Sequence, residues 1–522
     1  MSRRLLFLIT GLIFVFLLGG VVLYFSWGRS KFMRPSITIS QQTTFFTAPL
    51  KTTGRVYYAK ALNQLYGSNV APDENAAIVL WQIDHDTWND YESRVKAYES
   101  ELGNVRLANA QSRLLVRLFE DGGVLPEHPE GYEQREAARS AAMRAPWAPQ
   151  DFPIIAAWLQ QNRAALAGAY EAARLPRYFW PVETDGEDQV LMDARLPITK
   201  GALEICYALC ARAMLRLHQG NDAGAWDDLL TAMKLARLTS QGTFLWESSN
   251  SLAIERAALA GMAQWLEHAT VSEEQARQRL NELRSLPPRR SVADIMNHGE
   301  RSMLLDYVTF YADGVDFTHN FGNGHEMDSL ASQFIRAYHI DWDAVLFYTN
   351  QMVDQCVAAC KASPRFQASW FPQLQGHLEN MADGKGVPAG GIFQRPGVQQ
   401  PILDDRTNKI AGQLIGHLFP DVDFVASAES IQRQRLHLTQ LGLALEAYRA
   451  RHGRYPTSLA ELAPDYLAEV PRDIFAEQEL IYRPTEDGYL LYSVGPDFDD
   501  DGGTPPEDSS DQDYDLILKI GK

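Results

Sequence analysis

The chain has 522 residues, more than one hydrophobic core usually organises, so two to four folding units are expected. Hydrophobic residues make up 46% and charged residues 22%, a globular composition that argues against disorder of the whole chain. Asp and Glu outnumber Lys and Arg by 66 to 48, a formal net charge of −18. That balance argues against binding to the phosphate backbone of a nucleic acid and favours cations as partners.

The first predicted element is an uncharged apolar segment at residues 5–27, which follows a short tail at residues 1–4. Its 23 residues, at about 1.5 Å per helical residue, can cross a bilayer core that is roughly 30 Å thick. A cleaved signal peptide is the alternative, but its apolar region is usually about 7–15 residues and ends in small residues. Because Tyr24 to Trp27 is a poor cleavage site, we expect an uncleaved transmembrane anchor.

The charges that flank this segment give only a weak indication of its orientation. Arg3 and Arg4 precede it, and Arg29, Lys31 and Arg34 follow it, so the positive charges are nearly balanced. A long domain is translocated largely regardless of a few flanking charges. We therefore expect the bulk of the chain on the extracytoplasmic side.

A juxtamembrane linker at residues 28–70 and a helical domain at residues 71–423 are predicted next. Ile205, Leu209, Ala213 and Leu217 recur at i, i+4 spacing and form one apolar helical stripe. The polar turn at residues 220–222 follows, and a second apolar stripe starts at Ala225. This pattern predicts an αα-hairpin within a multi-helix body.

A small α+β module is predicted at residues 424–522. Gly453 and Pro456 end a long helix, and residues 478–484, 488–494 and 513–520 read as strands. The turn signal at residues 486–488 joins the first two strands as a hairpin. The fold class expected for the whole chain is therefore mainly α, with an N-terminal transmembrane helix, a helical body and a three-stranded antiparallel sheet at the C-terminus.

The last 80–90 residues resemble the C-terminal domain of the major pseudopilin of type II secretion. The residues that carry the resemblance are Leu445-Glu446-Ala447-Tyr448, Gly453-x-Tyr455-Pro456, Tyr466-Leu467-x-x-Val470-Pro471-x-Asp473 and Gly488-Tyr489-x-Leu491-Tyr492-Ser493-x-Gly495-x-Asp497. In a pilin subunit, however, the membrane helix continues into this long helix and follows a prepilin-peptidase site. Here the anchor lies some 400 residues upstream and no such site precedes it, so we do not expect a pseudopilus subunit.

The whole chain also resembles uncharacterised membrane-anchored helical proteins of planctomycete-type bacteria that end in this same module. The matching residues are Trp147-x-x-x-Asp151-x-Pro153, Pro176-Arg177-Tyr178-x-Trp180-Pro181, Gly224-Ala225-Trp226-x-Asp228-Leu229 and Gly299-Glu300-Arg301. This resemblance implies a single-pass protein of the bacterial inner membrane with a periplasmic bulk. It implies no activity.

The acidic segment at residues 495–515, which has nine acids and no Lys or Arg, is a candidate calcium site. Asp497, Asp499 and Asp501, followed by Gly502, fit D-x-D-x-D-G, and Asp508 falls at the twelfth position. Two prolines at positions 505 and 506 oppose the exiting helix of an EF-hand. A solvated acidic loop is the alternative. The pseudopilin resemblance implies calcium in the corresponding loop.

The four cysteines form two pairs at i, i+4 spacing: Cys206 with Cys210, and Cys356 with Cys360. Two antiparallel helices could be joined by Cys206–Cys360 and Cys210–Cys356 disulfides, which an extracytoplasmic setting favours. Four buried thiols and, less simply, a zinc site are the alternatives.

The sequence contains none of the common catalytic motifs, such as G-x-S-x-G, H-E-x-x-H or a Walker A loop. The clusters at residues 84–86 and 325–326 place a His beside acids, but surface charge is the simpler interpretation. Two hypotheses therefore stay open. The first is a non-enzymatic interaction or scaffold protein that contacts the membrane and secretion or pilus-like envelope proteins. The second is a membrane-anchored envelope hydrolase.

Overall fold

The computed structural model describes residues 34–85, 91–107, 114–119, 131–184, 186–187, 189–194, 198–313, 340–388, 401–504 and 515–521. The predicted tail at residues 1–4, the predicted anchor at residues 5–27 and the start of the linker lie outside these residues. Among the helices that are described, none is both long and apolar enough to cross a membrane.

The described chain is mainly helical and has one small antiparallel sheet near the C-terminus, as the sequence predicts. The helices are α1 Tyr58–Gly67, α2 Ala76–Ile83, α3 Tyr91–Glu101, α4 Tyr132–Ala142, α5 Pro153–Gln161, α6 Arg163–Ala172, α7 Thr199–His218, α8 Asp222–Thr239, α9 Leu245–His268, α10 Glu273–Arg284, α11 Val292–Ile295, α12 Arg301–Ala312, α13 Trp342–Cys360, α14 Pro364–Asn380, α15 Asp405–Leu418 and α16 Val422–His452. Two π-helical segments, Met296–Glu300 and Met381–Lys385, continue α11 and α14, and the strands are β1 Ile481–Pro484, β2 Tyr489–Ser493 and β3 Leu516–Ile520.

The predicted αα-hairpin is formed by α7 and α8. Gly220 adopts a left-handed backbone conformation with φ +72°, which glycine tolerates without steric cost. Asn221 then caps α8, because its side-chain oxygen accepts a hydrogen bond from the Gly224 N–H at 3.0 Å. The predicted stripe on α7 is buried at Ile205, Leu209 and the other positions, so the hairpin packs through it.

The buried apolar residues form two clusters, which we call core A and core B. Core A joins helices between residues 76 and 283 to residues 431–520 of the C-terminal region. Core B joins residues 37–62 to helices between residues 292 and 426. Each core is large enough to account for one of the folding units expected from the chain length.

Helices α9 and α16 belong to both cores. Leu245 and Leu252 of α9 lie in core B, whereas the segment from Ile254 onward lies in core A. In α16, Val422 and Val425 lie in core B, whereas residues from 431 onward lie in core A. A continuous helix that enters two cores holds them in a fixed relation, because neither core can separate without breaking the helix or exposing its apolar face.

The C-terminal sheet packs directly on the helical body through α16. Gly442 lies at the contact point: a Cβ there would be 2.7 Å from Leu518 Cδ2 of β3 and 2.8 Å from Leu266 Cδ1 of α9. These separations are shorter than van der Waals contact, so a Cβ at residue 442 would force both leucine side chains to move, whereas glycine lets them pack directly on the backbone of α16. The predicted module starting at residue 424 therefore shares core A with the body.

Polar contacts reinforce this junction. Three arginines of the body donate hydrogen bonds to main-chain carbonyls of the C-terminal region: Arg277 to Asp465 at 2.7 Å, Arg284 to Tyr466 at 3.2 Å and Arg365 to Phe475 at 3.1 Å. Each bond satisfies a loop carbonyl that has no partner in a helix or sheet, so it also fixes the loop's position.

The sheet has the order β1-β2-β3, and both strand pairs are antiparallel. Leu491 of β2 faces Leu518 of β3 in the register, and both are buried against α16. Lys519 and Leu490 form the next pair along the strands, and Lys519 is exposed. The alternation along β3 is therefore that of a strand with one buried face.

We expect Leu518→Ala to destabilise the helical body as well as the sheet, by about 2–5 kcal/mol, because it leaves a cavity between β3, α9 and α16. All eleven tryptophans precede residue 424, so tryptophan fluorescence during denaturant unfolding reports on the part of the chain before the C-terminal sheet. Lys519→Ala on the same strand is the matched control and should be near neutral. A tryptophan transition that Leu518→Ala leaves unchanged would show that the body and the sheet unfold independently.

Candidate cation loop and neighbouring surfaces

The acidic loop is held between β2 and β3 by a series of left-handed residues. Gly495, Phe498, Gly502 and Gly503 have φ values of +77°, +69°, +74° and +79°. Phe498 is the non-glycine member, and its ring packs 6.0 Å from the ring of Phe475 and 5.0 Å from the Arg365 guanidinium. The packing of this side chain offsets the cost of its backbone conformation and fixes the start of the loop.

A buried carboxylate anchors the other side of the loop. Asp473 accepts hydrogen bonds from the N–H groups of Phe475 at 2.8 Å and Val494 at 2.9 Å, and from the Ser493 hydroxyl at 2.8 Å. The Ala476 N–H adds a longer contact of 3.3 Å. Asp473 therefore ties the end of β2 to the turn that precedes β1, which is a structural role for one of the residues in the pseudopilin-like pattern.

The predicted calcium ligands are only partly brought together. Asp497 is half-buried and accepts a hydrogen bond from the Asp499 N–H at 3.3 Å, whereas the side chains of Asp499 and Asp501 are exposed. Asp508 lies outside the described residues. Within the described part of the chain, no group of three His, Cys, Asp or Glu side chains is placed so that it could hold a metal ion.

Two acids that the motif did not select are more closely integrated into the loop. Asp500 accepts hydrogen bonds from the Tyr492 hydroxyl and the Gly502 N–H, both at 2.9 Å. Asp515, at the start of β3, is buried and accepts a hydrogen bond from the Gly503 N–H at 2.7 Å. The D-x-D-x-D-G spacing could not reveal Asp515, because only the pairing of β3 with β2 brings it back to the loop.

The electrostatics of the loop disfavour its negative charge. Burial raises the pKa of Asp515, and the nearby carboxylates of Asp500 and Asp501 raise it further. Backbone N–H donors, including that of Gly503, lower this pKa but do not reverse the shift. Carboxylate oxygens are the hard ligands that calcium prefers, so a cation held here would offset the repulsion.

The predicted disulfides are not formed: all four cysteines are free thiols. Cys206 and Cys210 lie on α7 in core A, whereas Cys356 lies on α13 in core B, so the two pairs occupy different cores. Within the second pair, the Cys356 and Cys360 side chains are hydrogen-bonded to each other. Burial raises the pKa of Cys206 and Cys210, as is typical of thiols that pack as small apolar residues.

The weak catalytic candidates of the sequence have structural contacts. Asp84 forms an ion pair with Arg117 at 2.6 Å, and the ring of His85 stacks on Trp81 with centroids 4.3 Å apart. Another buried carboxylate of the body, Asp228, binds Arg212, Arg216 and the Tyr170 hydroxyl. These polar groups tie helices together inside the body. Asp86, His325 and Glu326 lie outside the described residues.

A pocket of about 530 Å³ lies between the start of the described chain and helices α12 and α13. Phe45, Phe46 and Phe347 form apolar walls, and His298 and Asp354 contribute polar groups. His298 is part of a π-helical segment, and Phe45 has a left-handed backbone with φ +59°. Both features are concentrated at functional sites in proteins, so the pocket is a candidate for ligand binding.

Hydrogen bonds fix the polar groups of this pocket. The five N–H donors of Arg301 meet acceptors on Asn297, Asn350 and Asp354 at 2.6–3.2 Å. Because Asn297 Oδ1 accepts from Arg301, its Nδ2 faces His298 Nε2 as a donor at 3.3 Å. His298 Nδ1 then donates to the Asp294 carbonyl at 3.1 Å, so the imidazole is neutral. Burial lowers the pKa of His298 accordingly.

Two buried glutamates near this pocket cap the N-terminus of α9. Glu247 accepts hydrogen bonds from the N–H groups of Thr243 at 2.6 Å and Phe244 at 3.2 Å, and Glu300 accepts from Leu245 at 2.8 Å. Burial, with a contribution from the charge of Glu247, raises the pKa of Glu300 to about 7. These carboxyl groups satisfy helix N–H groups, which accounts for their burial without a catalytic role.

Three comparisons, with protein-family models, with curated proteins and with solved structures, find no match to this chain.

We expect Glu300→Gln to be more stable than the wild type, by a difference in unfolding free energy that grows as the pH rises. The wild-type carboxyl has a folded pKa of about 7 against an ordinary value of 4.5, so the folded state keeps a proton that the unfolded state releases. Wild-type stability should therefore fall between these values and remain lower at alkaline pH, by roughly 3 kcal/mol in total. Glutamine keeps the acceptor for the Leu245 N–H and does not titrate.

The measurement is denaturant unfolding of both proteins between pH 5 and pH 9. Exposed Glu267 on the same helix supplies the control variant Glu267→Gln, whose difference from wild type should not depend on pH. A pH-independent difference for Glu300→Gln as well would contradict the raised pKa.

Proposed function

We propose that this chain is a single-pass protein of the bacterial inner membrane whose periplasmic bulk acts as a non-enzymatic interaction scaffold. Residues 5–27 would anchor it, and the pseudopilin-like C-terminal region would contact secretion or pilus-like envelope proteins. The acidic loop would bind calcium through Asp497, Asp499, Asp501 and Asp508, with Asp515 as an additional acid.

The observation that supports a scaffold is the shared helix α16. It packs on α9 and α10 on one side and on the sheet on the other, and it enters both cores. A tethered domain would move relative to the body, whereas this arrangement presents the sheet and its loop at a fixed position. Fixed presentation reduces the ordering cost that a partner must meet on binding.

The proposal for calcium is supported by the charge and burial of the loop. Asp515 is buried beside two further acids, and its pKa is raised. A bound calcium ion would add positive charge beside these carboxylates. Among the described residues, Arg483 contacts the loop through a long hydrogen bond of 3.5 Å to the Gly502 carbonyl and not through a carboxylate.

A membrane-anchored hydrolase is the second candidate, and the pocket around His298 is the observation that favours it. The pocket combines aromatic walls with a neutral histidine and a carboxylate. The hydrogen bonds within the pocket argue against a hydrolase, however, because they engage His298 Nε2 and all the donors of Arg301. A general base needs a nitrogen that can reach the substrate, so the scaffold function is preferred.

We expect calcium to raise the melting temperature of the full-length protein in detergent by about 2 °C or more. At 100 times the dissociation constant, linkage contributes about 2.7 kcal/mol. Asp499→Asn combined with Asp501→Asn should abolish the response, and Glu486→Gln, an exposed acid in the β1–β2 turn, should retain it. Equal responses of all three proteins, or no response of the wild type, would contradict calcium binding by this loop.

Asp515→Asn tests two effects of the buried charge: the loss of folded-state stability without calcium, and the stabilisation that calcium provides. Without calcium it should be at least as stable as the wild type at neutral pH, because the raised pKa of Asp515 means that its ionised form lowers folded-state stability. With calcium it should gain less than the wild type.

The scaffold function itself is tested by affinity purification of the tagged full-length protein from its native membrane in the presence of calcium. The proteins that copurify are quantified by mass spectrometry. We expect envelope components in near-equal amounts to the chain, and their loss with chelator. Recovery of the chain alone under both conditions would contradict the scaffold and direct attention to the pocket around His298.

A further inference from the structure

A groove of about 540 Å³ runs between strand β3 and the helical body, and we call it the β3 groove. Small side chains of α9 form its floor, and Leu438 and Thr439 of α16 extend it. Ser140 at the end of α4 and Met143 just after it also line the groove. Its volume is that of a pocket for a ligand of several hundred daltons, enough for a few residues of extended peptide.

One wall of the groove is an edge of the sheet. Residues 515–518 line it, and β3 is the outer strand in the order β1-β2-β3. Its pairing with β2 uses one edge, and within the described residues no second strand pairs with the other edge. A strand edge presents a row of N–H and C=O groups that an added strand can satisfy.

The groove is bordered by positive charge on a protein that is strongly acidic overall. Arg144, Arg256 and Arg435 line it, although the formal net charge of the chain is −18. Arg144 and Arg256 are exposed, and neither forms an ion pair with another described residue. The one acid in the lining is Asp515, which is buried and turned to the Gly503 N–H.

We propose that the β3 groove binds an extended acidic segment of a partner protein, which pairs with the outer edge of β3. Its main chain would hydrogen-bond to β3, its apolar side chains would rest on the alanines of α9, and its carboxylates would meet Arg144 and Arg256. This inference rests on the proposed scaffold function and names the chemistry of the partner.

A second copy of the chain fits this groove less well than an acidic segment does. A symmetric pairing of two β3 edges would place the same three arginines of both copies close to one another. Like charges at a shared edge oppose association, whereas a segment with carboxylates at alternate positions matches them.

The test uses the full-length protein in detergent micelles and a fluorescein-labelled hexapeptide that alternates Thr or Val with Glu, followed by anisotropy. Two altered peptides serve as probes of the mode: one with Lys in place of Glu, and one with N-methyl groups on alternate amides, which blocks strand pairing. We expect the acidic peptide to bind and each altered peptide to bind at least about tenfold more weakly.

The groove is tested from the protein side by Arg256→Glu and Arg144→Glu. Each should weaken the acidic peptide by about tenfold, because a favourable charge contact becomes a repulsive one. Arg433→Glu, an exposed position on α16 outside the groove lining, is the matched control and should change affinity less than about twofold. Two variants are used because either alone could disturb folding, which circular dichroism would reveal.

Equal binding of the N-methylated peptide would rule out strand pairing, and equal binding of the Lys peptide would rule out acidic recognition. If the protein forms concentration-dependent dimers and Arg256→Glu strengthens this dimerisation, the groove binds a second copy of the chain, which would overturn the proposal. If no acidic peptide binds while envelope components still copurify, the groove assignment fails and the scaffold function stands. If no acidic peptide binds and no envelope components copurify, the scaffold function is contradicted as well.

Discussion

The approach of β3, α9 and α16 at Gly442 is the constraint on which the architecture depends. A Cβ at this position would lie 2.7 Å from Leu518 Cδ2 and 2.8 Å from Leu266 Cδ1, so glycine lets both leucines pack on the backbone of α16 without being displaced. The same helix continues into core B through Val422 and Val425. Two cores and one small sheet are thus joined by a single continuous element, and apolar burial on both sides of it holds them together.

This constraint positions the surfaces to which we assign function. The acidic loop leaves β2 and returns at β3, so Asp515 is buried beside Asp500 and Asp501 because β3 is fixed on α16. The β3 groove exists because α9 passes beneath the same strand. The cation loop and the groove therefore share Asp515, and a change in the loop's charge would change the electrostatic potential at the edge of β3. The pocket around His298 lies in the other core, and its polar groups are engaged with one another.

The sequence predicts local structure well where the signal is local. The apolar spacing from Ile205 to Leu217 and the turn at Gly220 predict the α7–α8 hairpin, and alternation predicts the three strands. The site is less predictable, because its features depend on distant residues. Asp515 joins the loop only through strand pairing, and the two cysteine pairs lie in different cores, which spacing along the chain cannot show. The sequence also does not predict the π-helical segment that contains Gly299. A Cβ at Gly299 would clash with the Thr243 carbonyl, which is a contact between residues far apart in sequence.

The most direct measurement of the central claim, that α16 makes the sheet and the body one cooperative unit, is native-state hydrogen exchange of the full-length protein followed by mass spectrometry. The slowest amides of β2 and of α9 should report the same opening free energy, and a low concentration of denaturant should lower both by the same amount, because neither element opens without the other. Exchange of β2 at a clearly lower free energy, with α9 still protected, would show that the C-terminal region is a separate domain resting on the body and would contradict the account.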